Sequence, residues 1–87
     1  MMKNNIKRSS KKSENTLDGV RIGEEVRVSS LMAKGPMRRR LQDVGFCSGS
    51  SVRCVMKSPL GDPAAYLVRG TLIALRREDA GSIVISR

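Results

Sequence analysis

From Leu17 onward, the apolar residues of this chain recur at every second position in short runs. Val26 and Val28 alternate with Glu25 and Arg27, and Val52, Cys54 and Met56 alternate with Arg53 and Lys57. Tyr66 with Val68, Ile73 with Leu75, and Ile83 with Ile85 repeat the pattern. A period of two sends successive side chains to opposite faces of an extended backbone, so five short strands are expected. On this reading Val52, Cys54 and Met56 all point inward.

One segment breaks the period. Met37, Leu41 and Val44 stand at i, i+4 and i+7, the spacing of one helix face. Pro36 suits the first helical turn, where its missing N–H is not needed. Gly45 suits the left-handed position just past the end. A helix of about two turns is expected here, packing Met37, Leu41 and Val44 on the sheet.

Glycines and prolines punctuate the rest. Ser58-Pro59-Leu60-Gly61-Asp62-Pro63 links the second and third strands. Arg69-Gly70 is a two-residue connection between the third and fourth, and Arg77 to Ala80 reads as one helical turn before the last strand. Few exposed edges are tolerated in so small a sheet, so a barrel is expected. Only Phe46 and Tyr66 are aromatic, so its core must be aliphatic. At 87 residues the chain holds one domain and buries only about 60% of the surface its unfolded form exposes.

The charge is uneven. Residues 1–15 carry five basic residues against Glu14 and one large aliphatic, Ile6, beyond the opening methionines. Such a stretch buries too little to offset its ordering entropy, and it reads as a disordered basic tail. The ordered domain is expected over residues 16–87. The longest apolar run, Ala64 to Val68, is far short of the ~20 residues of a membrane helix. The start has no apolar stretch of the secretory kind, so a cytoplasmic protein is expected.

Several chemistries are excluded by residue type. Without histidine there is no imidazole base and no His-rich metal cage, so the chain does not read as an enzyme. Cys47 and Cys54 stand seven apart and are half a zinc site at best; they read as small buried or half-buried thiols. The alternative is iron or zinc held by Cys47 and Cys54 with carboxylates, across two copies of the chain. The net charge of +9 raises a second alternative, a basic nucleic-acid-binding domain. Base stacking would have only Tyr66 and Phe46 to work with, and Arg38, Arg39 and Arg40 fan out ~100° apart on a helix, so no specific nucleic-acid site is expected.

The third and fourth strands carry an anomaly. With Arg69-Gly70 as the turn, Val68 faces Thr71, Leu67 faces Leu72, Tyr66 faces Ile73 and Ala65 faces Ala74. Tyr66, Val68, Thr71, Ile73 and Leu75 then share the core face. Leu67, Leu72, Ala65 and Ala74 share the opposite face, which ought to be polar, and Val55 is likewise out of phase. The expectation is an apolar partner-binding patch of Val55, Ala65, Leu67 and Leu72 beside Arg53 and Arg69, taking a partner protein or a second copy of the chain.

Arg39-Arg40-Leu41-Gln42-Asp43-Val44-Gly45, Ser58-Pro59-Leu60-Gly61-Asp62-Pro63, Val68-Arg69-Gly70 and Ala74-Leu75-Arg76-Arg77-Glu78-Asp79-Ala80 occur in this order. The set, with Thr16-Leu17 through Val26, resembles the FeoA family over residues 16–86. The resemblance implies a mainly β, SH3-like barrel of about five strands with one short helix. It implies an accessory role in ferrous iron uptake, with a large membrane transporter, an FeoB-like protein carrying a cytosolic GTP-binding domain, as partner. It also implies a site at the inner face of the membrane. Cys47 and Cys54 are not part of that signature, and the tail has no counterpart in it.

Overall fold

A computed structural model describes residues 15–87, so the tail expected over residues 1–15 lies, Asn15 apart, outside the described residues. A 3-10 turn at Leu17–Gly19 comes first, then β1 (Glu25–Leu31), α1 (Gly35–Asp43), β2 (Ser51–Lys57), β3 (Ala64–Val68), β4 (Thr71–Leu75), α2 (Arg77–Ala80) and β5 (Ile83–Ser86). The strands form one antiparallel sheet in the order β4-β3-β2-β1-β5. All five contribute to a single buried cluster, so the sheet curls around a common core as a small barrel. That core is aliphatic except for Cys54, Phe46 and Tyr66.

The β3–β4 register matches the sequence expectation pair for pair, from Val68 with Thr71 to Ala65 with Ala74. The turn explains why. Arg69 and Gly70 have φ of 53° and 77°, both positive, as a two-residue type I′ turn requires, and that turn matches the twist of the strands it joins.

The expected alternation fails in β2 after Cys54. Cys54 pairs with Tyr66, yet Met56 pairs with Ala65, so two residues of β2 stand opposite one of β3. This bulge at Val55 carries Met56 to the outer face, where it is 54% exposed, not inward as its spacing suggested. A second irregularity, between Val28 and Ser30, returns Leu31 to the core face beside Val26 and Val28.

The helix ends differently from the expectation. Leu41 is buried and Met37 packs against the core, but Val44 is exposed. Gly45, at φ 117°, donates to the Gln42 carbonyl (3.1 Å), and Phe46 donates to that of Leu41 (2.9 Å). These are the paired bonds of a Schellman cap, and Leu41 and Phe46 on its two sides both belong to the buried core. Phe46, not Val44, completes the apolar face. A Cβ at Gly45 would lie 3.3 Å from Val68 and Arg69 side-chain atoms, so the chain turns there without room for one.

The two ends of the sheet differ. Along β5, Thr16 bridges to Val84 and the Ile85 N–H donates to the Asn15 carbonyl (2.8 Å), so residues 15–16 cover that edge. Beyond β4 no further strand lies among the described residues.

Candidate functional site

The outward side of β2, β3 and β4 carries the apolar patch. Arg53 pairs across to Leu67, and Leu67 to Leu72, giving one row over three strands. Met56, Ala65 and Ala74 give the next row, with Val55 in the bulge between them. Leu67 is 39% exposed, Val55 40%, and Leu72 58%. Alternation forces this: Tyr66 and Val68 occupy the core, so Leu67 between them must face out. The expected residues Val55, Ala65, Leu67, Leu72 and Arg53 thus share one face. Arg69 lies at the hairpin tip, on the rim. Met56 joins the patch unforeseen, because no sequence signal marks the bulge that turns it outward.

The rim is charged. Arg53 pairs with Glu25 at 3.3 Å, and Ser51 also donates its hydroxyl to that carboxylate. The Ser51 bond first, then Arg53, holds the Glu25 carboxyl below its ordinary value. Arg69 and Arg76 flank the two ends of β4, and neither has an ion pair among the described residues.

The other expected features lie elsewhere. The Cys54 side chain is buried in the core, and burial pushes its thiol up, away from the thiolate a metal ligand or nucleophile must supply. Cys47 is half-buried past α1, with its thiol 3.5 Å from the Gln42 carbonyl. No three Cys, Asp or Glu side chains among the described residues come together as a metal-binding group. Phe46 and Tyr66 are fully buried, so neither offers a stacking platform for a base. Arg38 turns back to donate to the Leu31 carbonyl (2.9 Å).

The Gly61-Asp62-Pro63 loop is structural. Asp62 accepts from the Arg77 N–H at 2.8 Å and so caps α2, while Gly61 donates to the Ser58 carbonyl (2.7 Å). Two motifs far apart in sequence are thereby one piece of structure. A surface depression of about 530 Å³ is lined by Gly19, Arg21, Ile22, Glu24 and Arg87. Its one acid is already engaged, since Glu24 accepts from the Arg21 N–H (3.0 Å) and from Arg87 (2.7 Å).

No helix among the described residues is long and apolar enough to cross a membrane. The model of the FeoA domain family matches residues 15–87. A curated relative, the Fe(2+) transport protein A/Fe(2+) transporter FeoB fusion protein of Porphyromonas gingivalis, is 30% identical over 69 residues. That match covers 79% of this chain but only 8% of the relative. The solution structure of the FeoA protein from Chlorobium tepidum superposes with a TM-score of 0.76 at 33% identity, covering 80% of this chain and 67% of that one. The zinc complex of FeoA from Stenotrophomonas maltophilia, described as an SH3 domain protein, gives 0.73 at 33% identity over 82% of this chain and 88% of that one.

Proposed function

The chain belongs to the FeoA family, and on that premise we propose that it is an accessory protein of ferrous iron transport that docks on the cytosolic part of a ferrous iron transporter. The observation that carries this reading is the Porphyromonas gingivalis fusion, in which the matching domain shares one polypeptide with FeoB. Covalent linkage raises the effective concentration of two modules that work together, to the millimolar range for a short tether. A separate chain doing the same work needs a surface that holds the partner without a tether. The exposed face of Val55, Met56, Leu67 and Leu72 has the apolar centre and charged rim of such a surface.

The chemistry supports contact over catalysis. The chain has no histidine, and its buried thiol is pushed away from the reactive state. On this reading the chain works at the inner face of the membrane. The test is made in cells whose own copy is replaced by the double variant Leu67→Asp with Leu72→Asp. Both positions face solvent, so the variant should fold, and ferrous uptake should change as it does when the chain is deleted. Uptake identical to the native strain would remove this face from the proposal.

A further inference from the structure

We propose that the outer edge of β4 is itself a binding site, taking an extended partner segment as a sixth strand, one that is apolar at alternate positions and acidic at both ends. This deepens the docking reading and rests on it for who the partner is, but not for how the segment binds.

The two edges of the sheet are treated differently. Residues 15–16 cover β5, whereas β4 is the last strand of the sheet among the described residues. Natural edge strands are blunted by charge, proline or a bulge. Thr71-Leu72-Ile73-Ala74-Leu75 has no charge and no proline, and its pairing with β3 is unbroken.

The turn fixes which amides are free. In a two-residue type I′ hairpin the residues closing the turn, Val68 and Thr71, form a hydrogen-bonded pair. Alternation then makes Tyr66 with Ile73 and Ala64 with Leu75 hydrogen-bonded as well. Leu72 and Ala74 fall in the other class, so their N–H and C=O groups point away from β3, along the open edge. These are also the β4 residues whose side chains lie on the apolar outer face. An added strand would bond at Leu72 and Ala74 and extend the surface of Leu67 and Met56, which is recognition by strand addition.

Charge selects the occupant. Arg69 and Gly70 precede β4, and Arg76 and Arg77 follow it. Arg69 and Arg76 have no ion pair among the described residues. A second copy of β4 running antiparallel about Ile73 would bring Arg69 opposite Arg77 of that copy, like charge against like. The segment of residues 1–14 is basic too, with five Lys or Arg against one Glu. An acidic-ended segment from another protein meets both rims with opposite charge.

The test titrates the full chain with a blocked decapeptide, Asp-Glu-Thr-Val-Thr-Ile-Thr-Val-Asp-Glu, and follows backbone amides by NMR exchange. The Leu72 and Ala74 amides should become protected on binding. Ala74→Pro removes an outward N–H without breaking the β3–β4 ladder, as edge strands allow. It should weaken binding about tenfold, the loss of roughly one hydrogen bond. The same peptide N-methylated on alternate amides leaves the protein untouched and should bind as poorly. Absence of binding at millimolar peptide, equal binding of the methylated form, or unprotected Leu72 and Ala74 amides would each overturn the proposal. So would a dimer of the free chain that Ala74→Pro dissolves, or protection of those amides in the free monomer, since each gives the edge another occupant. A transporter that binds Ala74→Pro as tightly as the native chain would refute strand addition and leave the docking face standing. A transporter that binds neither, beside a peptide that does bind, would refute the identity of the partner alone.

Discussion

Tyr66 shows how burial and chemistry meet in one side chain. It is fully buried, and that burial, with Cys54, Asp18 and Asp62 nearby, pushes its phenol up to about 12. The folded pKa lies above the ordinary 10, so the folded state keeps its proton where the unfolded state loses it. The stability this confers is fully present below pH 10 and is lost as pH rises towards 12. Thermal unfolding across that range should show a falling Tm, and Tyr66→Phe should flatten the fall. Tyr66 was legible as a core residue, because alternation with Leu67 is strict. Phe46 was not. Nothing in its own neighbourhood shows a period, and its burial follows from the Schellman cap that reverses the chain at Gly45.

Among the elements, those fixed by local rules were readable and those fixed by long-range contact were not. The β3–β4 hairpin is local: a two-residue turn sets its register, and the register places Leu67 and Leu72 together on the outer face. The bulge at Val55 answers to the pairing of β2 with β3, so the outward turn of Met56 left no trace in the spacing of Val52, Cys54 and Met56. The four-residue helix α2 is a mixed case. Arg77 to Ala80 looked helical, but the group that caps it, the Asp62 carboxylate, comes from a loop fifteen residues earlier. Asp62→Ala should therefore destabilise the fold by about 1 kcal/mol, the usual loss of a cap, read as a lower denaturant midpoint with an unchanged slope. An unchanged midpoint would show that the loop and the helix are held without this bond.

At the scale of the whole molecule, a small barrel spends every strand on one core and leaves the outer side of β2–β4 apolar. Exposed Leu67, Leu72, Val55 and Met56 add nothing to that core, and their clustering on three adjacent strands fits a surface made for contact. The family and the fold were readable from motifs in their order; the apolar outer face was readable only as an excess of aliphatics on the wrong side of a hairpin. On the proposed reading, this face holds the transporter. The most direct test of that reading is a binding titration of the full chain against the cytosolic part of the ferrous iron transporter from the same cell, at physiological salt. Saturable binding is expected, weakened at least about tenfold by Leu67→Asp, the scale of a lost interface anchor, with Tm unchanged. Absence of binding, or binding that Leu67→Asp leaves as it was, would contradict it.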